Sequence, residues 1–281
     1  AYVHDGYVRN DTCYSGAMFL GQLRIIDFTN KSNPVVLGSV ATPGSFTHNT
    51  WLTDDGKTCL TTDEVNGAYL TAYDVSDFGN ITELDRIQTN VGQGTSAIHN
   101  VEIINDYAVN AWYKDGVTIV DAHRPSNLIE VGNYDTYAGS GGGFAGIWGA
   151  YPFLPSGVIL ATSMDDAIMY VLQPTYVRAC YLEGNVCDSN TSVPLDGALV
   201  EILTTSHQEE TKLNGDYATG SEAPGTYSVQ VSKPGYVTKV VTGVSLSRGN
   251  VTNLNVKLVT AATYSAGGDV STFPVVSPIQ G

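Results

Sequence analysis

Leu23-Arg-Ile-Ile-Asp27, Leu70-Thr-Ala-Tyr-Asp74 and Val117-Thr-Ile-Val-Asp121 are three copies of one pattern, and their terminal aspartates stand 47 residues apart both times. Six residues beyond each Asp stands an Asn (Asn33, Asn80, Asn127); eleven beyond stand Gly38, Asp85 and Gly132. A second landmark precedes each copy. His4-Asp5, His48-Asn49 and His99-Asn100 each open an apolar stretch, and Trp148-Gly149 opens a fourth. Within a unit, roughly four short strand-like segments are separated by turn signals such as Asp54-Asp-Gly56, Asn105-Asp106 and Pro155-Ser-Gly157. A period near 47 with four strands per unit predicts β-propeller blades, since tetratricopeptide and ankyrin repeats are shorter and helical.

The repeat stops after Leu172. Gln173-Pro174-Thr175 reads as a hinge, and from Tyr181 to Val259 apolar and polar residues alternate between Gly and Pro turns. That pattern predicts a small antiparallel β-sandwich. Residues 260–281 are rich in Ala, Ser, Gly, Thr and Pro and read as a linker or tail. The expected division is therefore 1–173 for four visible blades, 174–259 for the sandwich and 260–281 for the tail. The fold class is all-β.

Composition agrees. Of 281 residues, 30 are Gly and 17 are Tyr while only 15% are charged, which suits strands and turns better than helices. Asp plus Glu number 28 against 13 Lys plus Arg, a net charge of −15, so neither nucleic acid nor an anionic membrane finds the clustered basic residues it needs. No apolar run approaches the roughly 20 residues of a membrane-spanning helix. The chain opens Ala1-Tyr-Val-His4, without Met or an apolar leader, which has the look of a processed or cut end.

Gly116–Asp121, Phe46-Thr-His-Asn-Thr-Trp-Leu-Thr-Asp-Asp-Gly56, Thr61-Thr-Asp-Glu64 and Trp148-Gly-Ala-Tyr-Pro-Phe-Leu-Pro-Ser-Gly157 resemble the LVIVD-repeat propellers of the choice-of-anchor B family of secreted bacterial proteins. The resemblance covers roughly residues 1–173. It implies export across the cell envelope, often in Bacteroidetes-type bacteria, and no settled chemistry. The family's propellers exceed four blades, so the favoured expectation is an arc of a larger propeller with blades missing before Ala1, with a four-bladed ring as the alternative. Pro224-Gly-Thr-Tyr227 and Lys233-Pro-Gly-Tyr236 resemble the carboxypeptidase regulatory-like, or transthyretin-like, domain. That likeness implies a non-catalytic accessory module.

His4, His48 and His99 are the sharpest candidates for chemistry. Equivalent residues of successive blades lie on a ring round the propeller axis, so three imidazoles could converge on a divalent transition metal, with Asp5, Asp63 and Glu64 as carboxylate support. The alternative is that each His or Asn ties one blade to the next. Asp27, Asp74 and Asp121 are expected to cap turns by accepting backbone N–H bonds. Asp54-Asp55 and Asp165-Asp166 lack the spacing of a calcium loop and read as exposed turns. No nucleophile elbow, His-Glu-x-x-His or phosphate loop is present. Cys13 and Cys59 read as buried thiols. Cys180 and Cys187 could bridge only if the chain bends near Gly184.

The function expected from sequence is an exported, extracellular or cell-surface protein in binding, adhesion or extracellular structure, with protein or carbohydrate partners. Trp51, Trp112 and Tyr134 are candidate aromatic contacts, with packing as the other role for each. Self-association through open sheet edges or the tail, building a filament or layer, is the extreme form. The rival is a metal-dependent enzyme with its histidine site at the propeller axis.

Overall fold

The computed structural model describes residues 2–90, 95–139, 143–165 and 167–261. Asp166, Ser140–Gly142 of the glycine loop and residues 262–281 of the expected tail lie outside them.

The repeat folds as blades. Blade one holds β1 (Asp5–Arg9), β2 (Thr12–Ala17), β3 (Gln22–Asp27) and β4 (Val35–Ala41), hydrogen-bonded in that order. Blade two repeats this with β5 (Thr47–Leu52), β6 (Thr58–Asp63), β7 (Leu70–Asp74) and β8 (Thr82–Ile87). Blade three has β9 (Asn100–Ile104), β10 (Tyr107–Ala111), β11 (Val117–Asp121) and β12 (Ile129–Tyr134). Blade four has three strands among the described residues: β13 (Ile147–Tyr151), β14 (Ile159–Ser163) and β15 (Met169–Leu172). The one helical piece described is a 3-10 turn at Met18–Leu20.

Each quoted motif is the third strand of a blade, and its Asp does what a turn cap does. Asp27, Asp74 and Asp121 accept the amides of Thr29, Ser76 and His123, two residues on. The Asn at the sixth position closes the same loop, donating its own amide to the carbonyl three residues back in all three copies. Asn10-Asp11 and Asn105-Asp106 have positive φ at both residues, the conformation a two-residue hairpin turn requires. Each fourth strand also carries a bulge against the third, leaving Leu37, Leu84 or Val131 without an opposite number. These three are again 47 residues apart. The bulge increases twist, which lets successive blades fan about an axis.

Blades pack face to face. Tyr14, Leu23 and Ile25 of blade one meet Leu52, Cys59 and Tyr73 of blade two. Leu60, Leu70 and Ala72 of blade two then meet Val101, Ala108 and Trp112 of blade three. Polar bonds add register: Asn49 donates to the Asp5 carboxylate at 2.9 Å and accepts the Val101 amide at 3.0 Å, joining three blades at one residue. The inner strands β1, β5, β9 and β13 thus follow one another round the axis.

The sandwich packs β19 (Asp216–Ser221), β16 (Cys180–Asp188) and β22 (Val251–Asn253), in that order, against β18 (Gln208–Glu210), β17 (Leu199–Ile202), β20 (Gly225–Ser232) and β21 (Lys239–Leu246). A last strand, β23 (Val256–Leu258), runs parallel to the second half of β16. Val200, Ile202, Val229 and Val231 of one sheet interdigitate with Leu182, Val186 and Val256 of the other.

The sandwich seats on blade three through charge. The wholly buried Asp121 carboxylate accepts Arg178 Nη1 at 2.7 Å, the Ala179 amide at 2.8 Å and the Tyr181 hydroxyl at 2.7 Å. Arg124 grips Glu183 with two nitrogens at 3.0 and 2.9 Å, and Asn127 donates to the Thr219 carbonyl. Ala179 and Tyr181 belong to the same apolar cluster as Val109 and Ile119.

All four cysteines are free. Cys180 and Cys187 lie on the one strand β16, whose ladder with β19 runs unbroken through Gly184, so the bend that a bridge needs does not form. At about 3.3 Å per residue they are roughly 23 Å apart. Four thiols are expected to react in denaturant without reductant; a count of two would show that a bridge exists.

Candidate metal centre and open blade edge

The four residues that open the units form one stack. Ring centroids are 4.2 Å apart between His4 and His48, 4.3 Å between His48 and His99, and 4.3 Å between His99 and Trp148, tilted by 42–46° at each step. His4 is exposed at one end, while His48 and His99 are each 2% exposed. Burial, reinforced by the neighbouring imidazole, lowers both buried rings to about 4, so each is neutral at pH 7. His99 Nδ1 lies 2.6 Å from the Trp148 carbonyl. A carbonyl only accepts, so Nδ1 carries the proton and Nε2 offers a lone pair.

Glu64 faces both buried rings. Its Oε2 is 3.5 Å from His48 Nε2 and its Oε1 is 3.8 Å from His99 Nε2, and one donor atom from each of the three lies within 4.8 Å of the others. The Tyr113 hydroxyl donates to Glu64 Oε1 at 2.5 Å, and its ring meets His99 edge-on at 5.3 Å. Burial and this bond push the phenol well above its ordinary range.

The other residues singled out from sequence stand apart from this group. Asp5 receives Asn49. Asp63 is wholly buried and accepts the Thr42 hydroxyl and the Gly44 and Phe46 amides, so it braces the loop before β5. Asp55 accepts Thr53 and Lys57 within its own turn. Asp165 accepts the Gly146 amide. Trp112 is wholly buried core. Trp51 lies between Tyr7 and Phe153, with centroids at 5.0 and 5.5 Å. Tyr134 is exposed.

Sequence reasoning missed Tyr113 and the Trp148 carbonyl. Nothing in a tyrosine 49 residues from Glu64 marks it as a partner, although Trp148 at the fourth histidine position did signal that the ring changes character there.

A second feature lies on the outer side of blade four. Strand β15 pairs with β14 and no other described strand, and its Met169 and Val171 side chains are exposed. A Cβ on Gly38, beside the blade-one bulge, would come within 2.1 Å of the Phe78 carbonyl of blade two. At the equivalent Gly132 a Cβ would meet nothing within 4 Å. Where blades one and two are filled by the next blade's outer loop, blades three and four leave a cleft of about 510 Å³ lined by Val117, Ile119, Val131, Ile159 and Val171.

Known proteins give the chain two domain types. Residues 17–42 and 97–136 match the LVIVD repeat, and residues 181–259 match the carboxypeptidase regulatory-like domain. It joins LVIVD-repeat propeller blades to a carboxypeptidase regulatory-like sandwich. No curated protein matches the chain. Among solved structures it is similar to a protein from Lactobacillus plantarum, at 13% identity over 87% of this chain and 71% of that one, TM-score 0.46. The WD40 propeller domain of Doa1 is 12% identical over 85% and 82%, TM-score 0.44. A chain of a cohesin–X-dockerin complex from Acetivibrio cellulolyticus is 26% identical over 27% of this chain, TM-score 0.24, and only about half of it (51%) is spanned. Likenesses this loose say nothing of function.

Proposed function

We propose that this is an exported extracellular or cell-surface binding protein of the choice-of-anchor B type, and that it assembles by accepting a β-strand from a second copy at the open edge of blade four. The observation that carries this is that blade four has three strands, not four, among the described residues. Blades one to three each close with an outer strand; β15 instead pairs with β14 and no other described strand, beside exposed Met169 and Val171 and an apolar cleft. An edge of that kind is a template for strand addition, with main-chain bonds supplying affinity and alternate side chains supplying fit. A repeating copy of the same chain would extend the assembly head to tail. The accessory sandwich and the −15 charge suit an exterior where ions screen repulsion beyond about 8 Å.

Light scattering on the full chain is expected to show mass rising with concentration, and Val171→Lys to weaken association at least tenfold without altering the melting temperature, because Val171 is already 61% exposed. A wild-type monomer at every concentration, or unchanged association in both Val171→Lys and Met169→Lys, would overturn the edge as the contact. Protease shaving of intact cells tests the location separately.

A further inference from the structure

We propose that His48, Glu64 and His99 bind a divalent transition-metal ion through the two imidazole Nε2 atoms and the glutamate carboxylate. The spacing is the first ground. The carboxylate lies 3.5 and 3.8 Å from the two nitrogens. These separations are too long for good hydrogen bonds. They are close to the roughly 3–3.5 Å that separates neighbouring ligand atoms around an ion with bonds near 2.1 Å.

The second ground is an unpartnered atom. His99 Nε2 is buried, carries the lone pair and has no hydrogen-bond partner among the described residues. Buried polar atoms are rarely left so, and an ion between the three groups would satisfy it. The proton on Nδ1 is held by the Trp148 carbonyl, the outer contact by which metal-binding histidines fix their tautomer. Tyr113 does the same for the carboxylate, turning Glu64 toward the rings.

The third ground separates this site from simple repeat packing. Strand pairing places Asp5 opposite Gly16, Asn49 opposite Thr62, Asn100 opposite Ala111 and Gly149 opposite Thr162. Two residues past the second partner stand Met18, Glu64, Tyr113 and Met164. Stacking of the rings recurs in every blade, but the carboxylate appears once, at the position where it can reach two buried imidazoles. His4, exposed at the end of the stack, is not part of the set. Two nitrogens and one carboxylate suit zinc, iron, cobalt or copper rather than calcium or magnesium, and three protein ligands leave a position for water.

The test uses the full chain after chelator treatment, with Co²⁺ followed by its visible bands and Zn²⁺ by calorimetry. One equivalent is expected. Glu64→Gln, which keeps size and shape, should weaken binding by about a hundredfold, Tyr113→Phe by about tenfold, and His4→Gln by less than threefold. Saturable Co²⁺ bands lost in Glu64→Gln and retained in His4→Gln would establish the site. Absence of saturable uptake by the wild type would overturn it whatever the variants do, as would equal weakening by His4→Gln and Glu64→Gln.

Discussion

Asp121→Ala is expected to destabilise the chain by about 2–4 kcal/mol, the cost of leaving two buried donors unsatisfied and breaking a partly buried ion pair. Asp27→Ala and Asp74→Ala, at the same place in the repeat, should leave the unfolding midpoint nearly unchanged. The difference lies in what each carboxylate has gathered. Asp27 and Asp74 lie at the surface and bond within their own turns. Asp121 is wholly buried and holds Arg178, Ala179 and Tyr181 besides its own turn. Its removal leaves the Ala179 amide and the buried Tyr181 hydroxyl without an acceptor, while Arg178 keeps the Asn105 carbonyl and Asp106. Urea unfolding of the three variants measures this, and equal losses in all three would show that the joint adds nothing to the turn.

Glu102→Gln should act in the opposite sense and only at higher pH. Glu102 stands on the inner strand β9, its Oε2 buried without a hydrogen-bond partner among the described residues. Burial, and then the negative charge of Asp5, raise its carboxyl from 4.5 to about 7. With the folded value above the unfolded one, the native state holds the extra proton between these limits, so wild-type stability declines as pH rises from about 4.5 to 7. An amide does not titrate. The variant should therefore be more stable than wild type by about 2–3 kcal/mol at pH 8 and nearly equal to it near pH 4. His48 and His99, lowered to about 4, tilt the other way, losing stability as pH falls from 6.5 toward 4. Thermal melts of both proteins across pH 4–8 check the window; a gain that is flat with pH would assign the effect to packing.

The blade pattern was legible because it rests on local chemistry. An Asp ending a strand caps a turn wherever it stands, so the 47-residue spacing survives into the structure as turn, bulge and core. The histidines were legible as a ring for the same reason. What sequence could not convey was the choice among equivalents: Glu64 faces the rings and Asp63, its neighbour, turns away to brace Thr42, because adjacent residues leaving a strand point in opposite directions. Nor could the repeat show that Asp121 alone of its set would be covered by Arg178, since that contact joins segments 57 residues apart with no shared motif.

The seat of the sandwich also orders the chain in time. Residues 178–181 return past the whole of blade four to reach blade three, and the bonds they make to Asp121 close loops of 57 to 60 residues. On the ribosome, blades one and two are fully made once residue 87 has emerged. Blade three has all its strands by residue 134, yet its aspartate waits, with only its own turn for company, until β14 and β15 have been laid down and Tyr181 arrives. A fragment cut at residue 173 would be held permanently at that waiting stage.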